Sequence, residues 1–304
     1  MSVTVEHITK SFGDVRALRD ISFSIPEGEL FGLIGPDGAG KTTLFRILVT
    51  LLLADEGQAT VAGYDVKKAY RKIRELMGYM AGRFSLYHDL SVRENLEFYA
   101  TVFGTTIREN YDFVKDIYSH IEPYEDRLAG RLSGGMKQKL ALSCALIHRP
   151  KVLILDEPTT GVDAVSRKEF WDMLKKIQRE GITVLVSTPY MDEAALCDRV
   201  GLIQKGNLLA VSDPSELELS NGTKVFRFGT SGRPYDYLQR IRNLDAQVDA
   251  WLFGDEIHVF TGAGVDCGEL DRTVQSWDVP DLEWGEATPS VEDYFMQKMR
   301  EEPE

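Results

Sequence analysis

The stretch GPDGAGKTT, Gly35 to Thr43, carries the first recognisable chemistry in the chain. It follows the apolar run ELFGLI and opens into the periodic segment TLFRILVTLL, where a buried strand should turn into a helix. Gly35, Gly40, Lys41 and Thr42 keep the spacing G-x-x-x-x-G-K-[ST]. Glycines let successive backbone N–H groups curl around an anion, and a helix starting at Lys41 points its positive end at the same spot. With Pro36, Asp37, Gly38, Ala39 and Thr43 completing the loop, the expected ligand is a nucleoside triphosphate. Lys41 would reach its β- and γ-phosphates, and the Thr42 hydroxyl would ligate Mg²⁺. A glycine-rich turn with an ordinary surface lysine offers the same residue types, but without such a strand before it and such a helix after it.

About 110 residues further on, KVLILDEP is an apolar run of strand length ended by two carboxylates and a proline. Carboxylates at strand ends hold Mg²⁺ in nucleotide-hydrolysing folds, which assigns that part to Asp156. Glu157 is then placed to polarise the attacking water as general base.

Between these two segments lies LSGGMKQKL, Leu132 to Leu140. Alone it reads as a serine-capped helix N-terminus. In this order and spacing with the other two motifs, the chain resembles the ATP-binding cassette (ABC) family, whose signature is LSGGQ or a close variant; Met136 takes the fifth place here. The resemblance covers about residues 2 to 215. It implies that Phe12 stacks on adenine, and that Asp163, in the loop TTGVDAV, crosses to another subunit. Ser133, Gly134 and Gly135 would contact the γ-phosphate held by a partner's phosphate loop. ATP and Mg²⁺ are the implied cofactors. Because such cassettes sandwich two ATP molecules head to tail, a second cassette is implied as well.

Two positions depart from the family's pattern. Where the family has a glutamine touching Mg²⁺ and the attacking water, the run GYMAGRFSLY has Gly82; where it has a histidine contacting the γ-phosphate, VLVSTPYMDEA has Pro189. Losing a positioned group that stabilises transition-state charge slows a reaction by about 10²- to 10³-fold. The chain's own site is therefore expected to bind MgATP well and to turn it over slowly. An asymmetric heterodimer with a fully equipped cassette is favoured over a homodimer.

The elements that must position these residues follow from periodicity. Strands are expected at VTVEHIT, ALRDISFSI, LFGLI, MGYM and KVLILD, and helices at TLFRILVTLL, YRKIREL, VRENLEFYATVFG, RENYDFVKDIYSHI and SGGMKQKLALSCALIH. The implied fold is α/β, a P-loop NTPase with a RecA-like core, an antiparallel β subdomain and a helical subdomain at about residues 84–150. Aromatic residues in RFSLYHDLSVRENLEFYA suit the groove where, in the family, a coupling helix of a membrane subunit docks. Beyond the polar linker LLAVSDPSELELSNG, the order βαββαβα over residues 222–304 suggests a small ferredoxin-like α+β domain. It resembles the C-terminal extension of drug-export ABC ATPases, ending PSVEDYFMQKM, where dimer stabilisation or regulation is the usual suggestion.

Composition narrows the function further. The net charge of −13 is uneven: residues 1–210 hold 27 Lys+Arg against 28 Asp+Glu, and residues 211–304 hold 8 against 20. So acidic a C-terminal part argues against nucleic acid as partner. No apolar run approaches the roughly 18 residues needed to cross a bilayer, and MSVTVEHITK does not read as a signal peptide. Cys144, Cys197 and Cys267 form no C-x-x-C pair and read as reduced thiols. The expectation is a cytoplasmic protein, peripheral on the inner face of the cell membrane. It would be the ATPase subunit of an exporter of the multidrug type, working with separate multi-spanning permease subunits. A regulatory cassette that binds ATP structurally is the alternative, and a soluble ABC ATPase outside transport is a more distant one.

Overall fold

The computed structural model describes residues 1–217, 219, 222–262 and 264–301, and the chain divides into two units, Met1–Ser215 and Glu216–Glu304. The first unit opens with β1 (Val3–Phe12) and β2 (Val15–Ile25), paired antiparallel with Phe12 opposite Val15. Then come β3 (Leu30–Ile34), α1 (Lys41–Leu48), β4 (Glu56–Val61), β5 (Tyr64–Asp65), α2 (Tyr70–Leu76) and β6 (Met77–Met80). Three helices follow, α3 (Val92–Val102), α4 (Ile107–Tyr118) and α5 (Gly134–Leu146). The unit closes with β7 (Val152–Asp156), α6 (Ala164–Arg179), β8 (Thr183–Thr188), β9 (Arg199–Gln204) and β10 (Asn207–Ser212).

Two sheets result. One is antiparallel, in the order β2-β1-β4-β5; the other runs β10-β9-β3-β8-β7-β6, parallel except for the antiparallel edge strand β10. Strands β3, β7 and β8 are buried at every position, as continuous Leu/Ile/Val runs should be when a parallel sheet is covered on both faces. The ends of β3 and β7 deliver the two polar segments, Gly35–Thr43 and Asp156–Glu157, to the same edge of this sheet. Such strand ends are where open α/β sheets bind ligands.

The helical insertion is organised by polar caps. Ser91 and Glu94 form a capping box on α3, and Thr106 and Glu109 form another on α4. Asn95, fully buried, donates to the carbonyls of Tyr87, Leu90 and Ser91 and accepts from the Tyr87 N–H, so one side chain shapes the turn entering α3. Of the aromatics in this region, Tyr87 packs edge-on against Phe98, and Phe98 against Tyr99.

Two expectations need correction. The helix after the phosphate loop stops at Leu48, not at Leu52: Thr50 is left-handed (φ 64°), and the N–H groups of Leu51 and Leu52 both turn back to the Arg46 carbonyl. Arg74 holds Thr50 in that strained conformation, donating to its hydroxyl at 2.8 Å and its carbonyl at 3.0 Å. Secondly, the start of the expected linker, LLAVS, is β10, because it finds a pairing partner in β9. Residues 218, 220 and 221 of that linker lie outside the described residues.

The second unit contains β11 (Lys224–Gly229), α7 (Pro234–Arg242), β12 (Val248–Phe253), β13 (Glu256–Thr261), α8 (Cys267–Gln275), β14 (Glu283–Ala287) and α9 (Val291–Glu301). Its sheet order, β12-β13-β11-β14 with all neighbours antiparallel, is the ferredoxin-like arrangement. Phe226, Phe228, Ile257 and Val259 pack with Leu238, Ile241, Leu270 and Val274 of α7 and α8. On α9, the fully buried Asp293 meets His258 Nδ1 of β13 at 2.6 Å. Burial alone would raise the Asp293 carboxyl, but hydrogen bonds from His258 and Ser290 hold it below the usual range.

Candidate functional site

Gly35 leaves β3 so close to β9 that a Cβ there would lie 2.0 Å from the Ile203 carbonyl oxygen, and no other residue fits. Gly40 is left-handed (φ 112°), and its Cβ would meet the Ala17 carbonyl at 2.6 Å. These two positions fix the loop's curl. At its centre Lys41 is only 3% exposed, and its ammonium donates to the carbonyls of Gly35 at 2.7 Å and Pro36 at 3.0 Å. It stands 3.1 Å from Glu157 Oε1. A buried ammonium is costly unless paired, so the loop holds a cation that needs an anion in front of it.

The next residue, Thr42, donates its hydroxyl to Asp156 Oδ1 at 3.0 Å. The same oxygen accepts from Ser187 Oγ at 2.8 Å. Ser187 also fixes Glu157, whose N–H donates to the Ser187 carbonyl at 3.1 Å and hydroxyl at 3.0 Å while Glu157 sits at φ 49°. A hard hydroxyl and a hard carboxylate side by side suit Mg²⁺, which takes only one or two protein oxygens when phosphates and water supply the rest. No group of three or more His, Cys, Asp or Glu able to hold a metal occurs among the described residues.

Above the loop opens a cavity of about 460 Å³, lined by Gly38 to Thr43, Glu157, Asp14 to Ala17, Arg19 and Lys205. Pro36, Asp37 and Gly38 are exposed, while Ala39 is buried. Phe12 is 52% exposed beside Val15, itself 66% exposed, which leaves an apolar platform at the end of the β1–β2 pair. The structure thus gathers Phe12, the whole phosphate loop, Asp156 and Glu157 in one region.

Ser133, Gly134 and Gly135 form a separate group. Ser133 caps α5, accepting from the Met136 N–H at 3.4 Å, and Asp163 caps α6, accepting from Val165 and Ser166. Gly135 packs on Ser166, where a Cβ would lie 3.1 Å from its hydroxyl, and Gly134 sits near the Gly161 carbonyl. Signature and Asp163 therefore share one surface, with Ser133 and Asp163 exposed.

Gly82 lies against Asp156: its Cβ would be 3.0 Å from the Asp156 carbonyl oxygen and 3.8 Å from the carboxylate carbon. Pro189 follows Thr188, whose carbonyl accepts from the Gly35 N–H at 3.3 Å. Both positions border the site without offering a donor or acceptor side chain to it. Behind Glu157 a smaller cavity of about 160 Å³ is lined by Gly82, Gly134 and Gln138, among others.

Sequence reasoning missed Ser187, Arg16, Arg19 and Lys205. Ser187 is the next-to-last residue of a largely apolar strand, and nothing in VLVST marks its hydroxyl as the one that meets Asp156. Lys205 offers one signal, the Lys-Gly pair of a strand turn, and it is left-handed at φ 45°. Burial raises the thiols of Cys144 and Cys197 well above their ordinary range, which disfavours the reactive thiolate.

Comparison with known proteins agrees with this geometry. The family described as "ABC transporter" matches residues 18–160. The chain is 41% identical over 218 residues to the probable multidrug ABC transporter ATP-binding protein YbhF of Escherichia coli, covering 71% of this chain but 38% of that protein. It is 34% identical to the linearmycin resistance ATP-binding protein LnrL of Bacillus subtilis, over 79% of this chain and 78% of that one. Against the Nod factor export ATP-binding protein I of Rhizobium sp. it is also 34% identical, over 98% and 96%, so that likeness extends through the second unit. Among solved structures, cbiO1 of Clostridium perfringens, described as part of the ABC transporter complex cbiONQ, superposes with a TM-score of 0.64 at 29% identity, over 71% of this chain and 90% of that one. The cassette MJ0796 bound to ADP and Pi superposes at 0.63 and 25% identity, over 69% and 98%. With the phosphate loop, the carboxylate-ended strand and the signature in place on this fold, the chain belongs to the ATP-binding proteins of ABC transporters, a family of ATPases.

Proposed function

We propose that this chain is the ATP-binding subunit of an export-type ABC transporter, coupling MgATP binding and hydrolysis to separate membrane permeases. The observation that carries the reading is the buried Lys41 ammonium, held in the loop by two carbonyls and faced by Glu157. Phosphate oxygens would take Lys41 from Glu157 and free that carboxylate to accept a proton from water. Adenine stacks on Phe12, and the backbone N–H groups of residues 38–43 surround the phosphates. Thr42 and Asp156 would hold Mg²⁺, which neutralises phosphate charge when bound.

Residues 1–215 act as the cassette and 222–304 as a regulatory or dimerisation unit. Ser133, Gly134, Gly135 and Asp163, which share one surface, face a second cassette. The relatives are named for multidrug transport, linearmycin resistance and Nod factor export, which supports export as the direction. No helix among the described residues is long and apolar enough to cross a membrane, which favours a peripheral position on permease subunits at the inner face of the cell membrane. A groove of about 840 Å³ between α3 and α4, lined by Arg93, Glu97, Thr105, Arg108 and Tyr111, has the size to take a permease helix.

The chain's own site turns over slowly, because Gly82 and Pro189 leave the region around Asp156 without the two polar side chains the family uses there. That same geometry favours a second reading, a regulatory cassette in which ATP is a structural ligand. Purification with its membrane partners, followed by MgATP binding and single-turnover assays, separates them. Binding with slow hydrolysis, well below several per second, supports the first reading; binding with none beside a partner cassette supports the second. Absence of MgATP binding refutes both.

A further inference from the structure

Glu193 stands in the 3-10 turn Met191–Leu196 that follows β8, and its side chain is 2% exposed. Its Oε2 accepts from the hydroxyl of Thr159 at 3.1 Å, and Thr159 is itself 1% exposed. Its Oε1 is buried without a hydrogen-bond partner among the described residues. Arg167 Nε lies 4.0 Å from that oxygen, beyond hydrogen-bond reach. The Arg167 guanidinium is engaged elsewhere, with Nη2 3.4 Å from Asp192 and its carbon 5.2 Å from the centre of the Tyr190 ring.

A buried carboxylate oxygen left without a donor is unfavourable, and a neutral amide would hold Thr159 as well. The charge therefore needs a reason beyond the Thr159 contact, and the positions of the three residues supply one. Thr159 comes two residues after Glu157, and Asp163 four residues after Thr159. Arg167 lies one turn further along α6, with its N–H donating to the Asp163 carbonyl at 2.9 Å. Glu193 thus grips the start of the loop 158–163 with one oxygen and, with the other, faces Arg167, one turn into the helix that follows the loop. Glu157, at φ 49° and paired with Lys41, comes directly before the same loop, so a phosphate competing for Lys41 would act next to Pro158 and Thr159.

We propose that Glu193 is a positioning residue for the loop 158–163, anchoring it through Thr159 and drawing Arg167 from Asp192 onto its free oxygen when nucleotide enters. The closure would set Asp163 and its neighbours in place for a second cassette. The proposal rests on the reading of the Lys41 cavity as the nucleotide site. Arg167 has two carboxylates within 4.0 Å, one exposed and one buried, which is the form of a two-position switch.

The test uses the full chain and the variants Glu193→Gln, Arg167→Met and the pair combined. Glu193→Gln keeps an acceptor for Thr159 but removes the charge facing Arg167; Arg167→Met alters a partly exposed side chain. MgATP affinity and amide hydrogen exchange across residues 158–163, with and without a non-hydrolysable ATP analogue, are the readouts, and neither needs turnover. In the parent chain, nucleotide should slow exchange of the loop by about tenfold, the effect of one charge-assisted hydrogen bond. Each single variant should lose most of that gain and, by linkage, bind the nucleotide analogue up to about tenfold more weakly, with parental exchange without nucleotide, and the double variant should lose no more. Additive losses, retained protection, or faster exchange already without nucleotide would overturn the proposal. Failure of the parent chain to bind MgATP would instead overturn the nucleotide reading beneath it.

Discussion

Replacing Gly82 with glutamine tests the proposal that this site is slow for want of a side chain. Gly82 is not left-handed, so the backbone accepts a side chain without torsional strain. The obstacle is local: a Cβ at this position lies 3.0 Å from the Asp156 carbonyl oxygen, and the chain must give by a few tenths of an ångström. Overpacking of that size costs about 1 kcal/mol, or roughly 2–4 °C of melting temperature for a unit this large. Against it stands a polar group whose base sits 3.8 Å from the Asp156 carboxylate carbon. Donors aimed at developing charge are worth about 10²- to 10³-fold in rate, so Gly82→Gln should raise single-turnover hydrolysis by at least about tenfold. Adding Pro189→His should raise it further. Phosphate release under excess protein measures the rate, with a thermal melt and MgATP affinity in parallel. Unchanged turnover in a variant that melts within a few degrees of the parent and still binds MgATP would refute the reasoning.

Three further outcomes follow from the geometry. Phe12→Ala should weaken MgATP binding by roughly tenfold, since stacking of a base on an aromatic ring is worth about 1–3 kcal/mol, while the melting temperature stays put because Phe12 is 52% exposed. Equal affinity by calorimetry would contradict the platform. Burial pulls His148 down to about 4, only partly offset by its bond to the Met77 carbonyl; it stacks on Phe103 with ring centres 3.7 Å apart. The unfolded chain takes up this proton below about pH 6.5 and the folded chain only near 4, so stability falls as pH drops through that window, by on the order of 3 kcal/mol. His148→Phe should flatten the decline in denaturant midpoint between pH 6.5 and 4.5, and an unaltered profile would count against it. Ser91→Ala removes half of the capping box on α3 and should cost about 1 kcal/mol in chemical denaturation without changing MgATP affinity.

The sequence made the site legible wherever local pattern and chemistry coincide. LFGLI, YRKIREL and MGYM occupy the elements expected of them to the residue, because each is bounded by a turn or by a change in hydrophobic period. The segment TLFRILVTLL misled because its apolar spacing continues past Leu48, while the helix is ended by a tertiary contact, Arg74 on Thr50, that no local pattern contains. LLAVS looked like linker because a strand at a sheet edge depends on its neighbour. The motifs also named the phosphate loop and the Asp156–Glu157 pair, yet the Ser187 hydroxyl that holds both carboxylate residues joins positions about thirty apart in the chain. The Glu193, Thr159 and Arg167 cluster is hidden for the same reason, since each residue alone is an ordinary polar position.

The central claim, that the Lys41 cavity is where this chain holds a nucleoside triphosphate, meets its most direct test in equilibrium binding of MgATP to the full chain and to Lys41→Ala. Removing the buried ammonium leaves Glu157 facing the phosphates without its counter-charge, and loss of a charge-assisted contact of about 1.5–3 kcal/mol corresponds to roughly ten- to hundredfold in affinity. The account predicts saturable binding to the parent chain and at least a tenfold weaker constant for the variant, both read at a temperature where a thermal melt shows the variant folded. Equal affinity in the two proteins would contradict it.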